Sequence, residues 1–152
     1  MKMRMNIATL SPELYQSVLA LDTAVRQSGI KAEYLHLIKL SASQINGCAY
    51  CVDMHVKHAL ADGMSPQKLH LVVTWKESPL FDEKERALLA WTESVTLLAQ
   101  TGVPDDVYNA LKAQFSDVEI AQFTVAIGVI NVWNRIAVSS RVIHPTGSAS
   151  AH

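Results

Sequence analysis

Apolar residues along this 152-residue chain recur at intervals of three and four, and no segment alternates in the strand manner for more than a few residues. That period belongs to helices with one face turned to a core. Ser11-Pro12-Glu13 reads as an N-cap, a proline in the first helical position and an early acid; it opens a helix running to about Ser28 and stopping at Gly29. Leu14, Val18, Leu21 and Val25 form its apolar stripe. A second helix is expected from about Lys31 to Ile45, carrying Tyr34, Leu35, Ile38 and Leu40, with Asn46-Gly47 as its end. A third starts at or near Cys48 and reaches Ala61 or Asp62, with Gly63 past its end. Ser65-Pro66 begins a short fourth helix through about Val73. After a connection from Trp75 to Phe81, Asp82-Glu83-Lys84-Glu85 opens a fifth that continues through Leu98 toward Thr101-Gly102. Pro104-Asp105-Asp106 opens a sixth, to about Phe115. Ser116 and Glu119 make a capping box for a seventh, which continues to about Val142.

Residues 121–132 are apolar almost all round, so the last helix is expected to be central or packed between subunits. No repeat, low-complexity block or linker divides the chain. The expectation is an all-α, single-domain bundle of about six or seven helices over residues 1–144, with a small, polar, mobile tail over 145–152.

Composition adds a core and removes some partners. At this length roughly 70% of the unfolded chain's surface can be buried, so no disulfide or metal is needed for stability. The chain is 49% apolar and 18% charged, a low charge for a monomer's surface, which points to apolar surface shared between subunits. Thirteen basic against fourteen acidic residues, with no basic run, leave no electrostatic footprint for nucleic acid. The start, Met1-Lys2-Met3-Arg4-Met5-Asn6, has no apolar stretch after its cations, so a signal peptide is not expected, and neither is a membrane span. The expected location is the cytoplasm, where thiols are held reduced.

In that setting the only two cysteines matter. They stand in Cys48-Ala49-Tyr50-Cys51, with His55 four positions beyond the second. On one helix, positions 48, 51 and 55 face the same side, one group per turn. A helix N-terminus at Cys48 favours thiolate over thiol, and such settings lower a thiol pKa from about 8.5 to ~3.5–7.5. Two thiols so placed can close and reopen a disulfide while His55 moves the proton. A zinc site is the main rival, with His58 as a fourth ligand. A helix of that length rises about 15 Å, however, against metal bonds of ~2.0–2.3 Å. Two inert buried cysteines are the other rival. The remaining histidines, His58, His70, His144 and His152, are assigned nothing. Asn131, Asn134 and Arg135, polar within an apolar helix, are read as packing residues, because buried polar groups require partners. Asn46 is read as shaping the turn before Cys48.

The run from Leu37 to His55, with its Ser43-Gln44-Ile45-Asn46-Gly47-Cys48 lead-in, closely resembles the core motif of alkylhydroperoxidase D-like proteins in the carboxymuconolactone decarboxylase superfamily. The resemblance extends over about residues 11–144, through Glu93-Ser94-Val95-Thr96, Phe115-Ser116, Glu119-Ile120 and Ile130-Asn131-Val132-Trp133-Asn134-Arg135. It implies an all-helical fold assembling as trimers or hexamers, and peroxidase or disulfide reductase activity on the cysteine pair, with no bound cofactor. On the family pattern Cys51 meets a small hydroperoxide and Cys48 resolves; the helix-end argument ranks their thiolate character the other way. A dithiol, such as a lipoyl group or a thioredoxin-like protein, would re-reduce the pair. The chain departs from the pattern at His36, where family members commonly carry the glutamate that ends the proton relay, and at Tyr50, where some carry histidine. Two readings of this departure stay open: Glu33, one turn before His36, replaces that carboxylate together with His36, or His36 is merely tolerated and activity is low. Two other functions stay open: a thiol–disulfide oxidoreductase or redox sensor without peroxide turnover, and a non-catalytic oligomeric binding protein.

Overall fold

A computed structural model describes residues 1–147. The expected mobile tail begins at 145, so most of it lies outside the described residues. In chain order the helices are α1 (Ile7–Leu10), α2 (Pro12–Arg26), α3 (Ala32–Ile45), α4 (Ala49–Ala61), α5 (Pro66–Leu71), a 3-10 turn (Val72–Thr74), α6 (Glu83–Thr96), α7 (Leu98–Thr101), α8 (Asp105–Lys112) and α9 (Asp117–Ser140). No strand occurs among the described residues. The start signals act as expected. Asp82 with Glu85, and Ser116 with Glu119, each form a complete capping box, at α6 and α9 respectively.

Two helices exceed the six or seven expected. The turn α1 precedes Ser11, where Thr9 Oγ1 donates to the Asn6 carbonyl. The expected fifth helix breaks at Leu97 and resumes as α7. At the break the Thr101 hydroxyl donates to the Ser94 carbonyl at 2.8 Å, giving that acceptor a partner from outside the α6 ladder.

Helix α3 is the hub and packs against α4, α6 and α9. Residues 35 and 37–43 are all buried, because its two sides serve two cores. Leu35, Ile38 and Ala42 join Leu88, Leu111, Phe123 and Ile127 in one cluster. Leu37 and Leu40 join Leu69, Val72, Phe81 and Leu89 in the other. Helix α9 is long and apolar enough to cross a membrane by composition. Here it is the helix against which α2, α3, α4, α6 and α8 pack.

One helix face is corrected. The stripe expected to point α2 at the core does not do so: Leu14 and Leu21 are exposed, and only Val25 is fully buried. Tyr15, Leu19 and Asp22 turn inward instead, and Tyr15 meets Trp133 edge-on at 5.4 Å. A 3.6-residue period identifies a helix, but it does not say which of two apolar faces meets this chain and which is left outside.

Candidate active site

Helix α3 ends and α4 begins within three residues, and that junction positions both sulfurs. Gly47 takes φ +65°, the left-handed conformation that glycine tolerates without a Cβ penalty. Its N–H donates to the Gln44 carbonyl and the Cys48 N–H to the Ser43 carbonyl, at 3.1 and 2.9 Å. This pairing closes the helix as a Schellman motif. Cys48 is at the same time the N-cap of α4, and its Sγ accepts from the Cys51 N–H at 3.3 Å. The two cysteines form a disulfide, with Cα atoms 5.3 Å apart. They are 1% and 2% exposed and pack against Ala137 of α9, with Val142 folded back over them.

Cys51, and not Cys48, reaches a cavity of about 410 Å³ between α2, α4 and α9. Tyr15, Tyr50, Met54, Trp133 and Ile136 give it an apolar wall. Met3 and Met5 close one side, on a strand of chain held by the Arg4 N–H donating to the Ser140 carbonyl at 2.8 Å. Asp22, Lys39 and Arg26 supply its charge, the aspartate bridging to Lys39 at 3.3 Å and to Arg26 at 3.1 Å.

His55 lies on the same wall, 5% exposed, and its Nε2 has no hydrogen-bond partner. Burial, reinforced by the positive charge of Lys39 and the neighbouring His58, pushes its pKa down to about 3. The ring is therefore neutral at physiological pH. His58 sits edge-on to it, ring centroids 6.1 Å apart.

His55 also borders a second cavity, of about 370 Å³, which Lys39, His58, His36 and Asp62 share. The ring of His55 thus stands between the cavity that reaches Cys51 and the one that reaches His36. The expected Glu33–His36 pair does not form as a unit. His36 Nε2 instead meets Asp62 Oδ2 at 2.6 Å, across from α3 to the C-cap of α4. Glu33 turns to Lys68 at 2.9 Å and to Lys31 at 3.4 Å. The hydrogen bond from Lys68 holds the Glu33 carboxyl below its ordinary range against the opposing effect of burial. Lys68 also binds the buried Glu85. Although burial disfavours its charge, hydrogen bonds to Glu85 and Glu33 raise its pKa overall. Residues 33 and 36 are one turn apart, yet α5 supplies a lysine for the first while the C-cap of α4 supplies an aspartate for the second.

Behind the Cys48 junction lies a polar network. Asn46 Nδ2 donates to Oδ1 of both Asn131 and Asn134, each at 2.9 Å, and Asn134 Nδ2 donates to Ser43 Oγ at 3.0 Å. Asn131 further donates to Thr96 Oγ1, and Arg135 donates to Asn131 Oδ1. These bonds tie α9 to the end of α3, consistent with the packing role read from the sequence. Three site residues had no sequence signal. Asp62, Lys39 and Ser140 belong to no local motif, and each reaches the site only through tertiary packing.

The comparisons with known proteins bear on this arrangement. The model of the Carboxymuconolactone decarboxylase family matches residues 12–94. The uncharacterized protein YdfG of Bacillus subtilis is 30% identical over 139 residues, 91% of this chain and 95% of its own. A crystal structure of an Agrobacterium tumefaciens protein of unknown function, suggested to be the antioxidant defence protein AhpD, is 54% identical. It superposes with a TM-score of 0.95 over 96% of this chain and 100% of that one. The debrominase Bmp8, at 18% identity, has the same fold, with a TM-score of 0.82 over 91% of this chain and 74% of its own. With the family match spanning more than half its length, this all-helical chain belongs to the carboxymuconolactone decarboxylase family, on its alkylhydroperoxidase D-like side.

Proposed function

We propose that the protein is a thiol-dependent peroxidase that reduces organic hydroperoxides through a Cys48–Cys51 disulfide. One observation carries the reading: a disulfide-forming pair of which only Cys51 opens onto an apolar cavity, beside a buried and unpartnered His55. Cys51 is accordingly the attacking thiol and Cys48 the resolving one. The helix-end argument and the family pattern rank the cysteines differently, and access to the cavity supports the family order. The capping bond to Cys48 Sγ stabilises negative charge on the sulfur that leaves when the disulfide is reduced.

His55 accepts the Cys51 proton. In the disulfide form burial and the charge of Lys39 keep it neutral against the opposing effect of Asp22. A Cys51 thiolate beside the ring would favour its charged form. Between turnovers the ring exchanges protons with solvent across the second cavity, by way of the His36–Asp62 pair, which is nearer solvent. The carboxylate of this chain's relay is thus Asp62, and Glu33 is an ion-pair residue.

Both cysteines are nearly inaccessible, which favours a slender dithiol arm such as a lipoyl group over a folded thioredoxin-like reductant. The exposed Leu10, Leu14 and Leu21 of α1 and α2 support assembly into a homo-oligomer.

The test is thiol titration before and after one equivalent of cumene hydroperoxide, followed by turnover with dihydrolipoamide. Two thiols lost per chain, recovered by the dithiol and absent in Cys51→Ser, is the expected result. Oxidation that occurs once, with no sustained peroxide consumption, would leave a redox sensor or exchange protein in place of a peroxidase.

A further inference from the structure

Three buried side-chain polar atoms among the described residues have no hydrogen-bond partner: Gln44 Oε1, His55 Nε2 and Ser140 Oγ. Two of the three, His55 Nε2 and Ser140 Oγ, belong to residues lining the cavity that reaches Cys51. An unpaired buried hydroxyl is destabilising, so its presence calls for a cause.

Local geometry offers Ser140 an easy remedy that it does not take. Several hydroxyls on this protein's helices bond to carbonyls one turn back. Thr92 does so to Leu88 at 2.8 Å, Thr124 to Ile120 at 2.7 Å, and the adjacent Ser139 to Arg135 at 2.5 Å. Ser140, 0% exposed, makes no such bond. It lies one turn after Ala137, the residue of α9 that packs on the cysteines. Arg141 takes a left-handed φ of +54°, uncommon for a residue with a side chain, and Val142 returns over the disulfide. The Ser140 carbonyl is occupied by the Arg4 N–H. The hydroxyl alone is left without a partner, on a residue that lines the cavity.

We infer that Ser140 is a catalytic residue, whose hydroxyl donates a hydrogen bond to the leaving oxygen of the hydroperoxide while His55 handles the proton. The inference rests on the peroxidase reading above. His55 takes the proton of the Cys51 thiol. The thiolate attacks the terminal oxygen of R–O–O–H, so that an S–O bond forms, the O–O bond breaks and RO⁻ leaves. The departing oxygen is held by Ser140 and receives the proton from His55 as ROH. The peroxide gains two electrons and Cys51 loses two, becoming the sulfenic acid. Cys48 then attacks the Cys51 sulfur, the S–S bond forms, and hydroxide leaves with the Cys48 proton as water. Ser140 keeps its own proton throughout and stabilises charge where it develops, as an oxyanion-hole donor does.

A disulfide oxidant has no O–O bond to break and therefore needs no such donor. The reduced full-length protein is mixed in stopped-flow with cumene hydroperoxide or with oxidised lipoamide, as wild type, Ser140→Ala and Ser140→Thr. Ser140→Ala is expected to slow the peroxide reaction about 100-fold, within the range for losing one oxyanion donor. It should leave the lipoamide reaction within threefold of wild type, and Ser140→Thr should recover most of the peroxide rate. The melting temperature of Ser140→Ala should equal or exceed that of wild type, because the lost hydroxyl had no partner. A peroxide rate in Ser140→Ala within threefold of wild type overturns the assignment, as does equal slowing of both oxidants or a clear drop in melting temperature. A wild-type protein inert to the peroxide but oxidised by lipoamide overturns the peroxidase reading, and the role of Ser140 with it.

Discussion

The two sides of the Cys48 junction share α9 and differ in how their polar groups are treated. On the side of Asn46, Asn131 and Asn134, amide groups find partners on neighbouring elements. On the side of Cys51, His55 Nε2 and Ser140 Oγ are buried with none. Both sides lie against α9, so depth alone does not explain the contrast. The partnered side holds α3 to α9 and sets where Cys48 enters α4. On the proposed peroxidase reading, the unpartnered side keeps these groups for a substrate. Function is found where the protein tolerates the cost of unsatisfied groups, and rigidity where it does not.

Breaking the partnered side should give the largest effect. Asn134→Leu strands Asn46 and Ser43 in a buried setting and should cost about 2–4 kcal/mol in urea unfolding, since removing one partner leaves the desolvation of the others uncompensated. A cost under 0.5 kcal/mol would mean the network is not what joins these helices.

The unpartnered side should show itself through pH. The folded value for His55 lies near 3, below its ordinary 6.5. Between those values the unfolded chain binds a proton that the native state refuses. Stability should therefore be fully present above pH 6.5 and fall as the pH drops toward 3, by at most about 1.4 kcal/mol per pH unit from this group. Below both values the slope from His55 vanishes. Acidic groups such as Glu33 also lose native stabilisation on acidification, so the measurement is the difference in slope between wild type and His55→Gln. Equal slopes would place a partner on the ring.

A smaller effect separates the two ion pairs of α3. Asp62→Asn should lower peroxide turnover about tenfold, short of the ~10²–10⁴ of a group in direct proton transfer, and should alter the pH–rate profile. Glu33→Gln should leave rate and profile within twofold and cost about 1 kcal/mol of stability, as a partly exposed pair does. The reverse ranking would return the carboxylate role to Glu33.

Much of this was legible in the residues. Helix starts depend on groups three residues apart, so Ser116 with Glu119 and Asp82 with Glu85 could be read directly. The same holds for Cys48, Cys51 and His55, which lie within two turns of one helix. Glu33 with His36 satisfied that local rule too, and the rule misled. Each residue's partner comes from an element far along the chain, Lys68 for one and Asp62 for the other.

The sequence by itself determined the longer helices, the turn at Gly47, the common face of the two cysteines and His55, and the family. All of these depend on backbone geometry over a few residues, which a short stretch of chain encodes. Tertiary structure alone decided which cysteine opens onto a cavity, which carboxylate His36 meets, and that Ser140 and His55 are left unpaired around Cys51. Those outcomes depend on how α2, α4 and α9 converge, and contacts between distant segments have no signature at short sequence spacing.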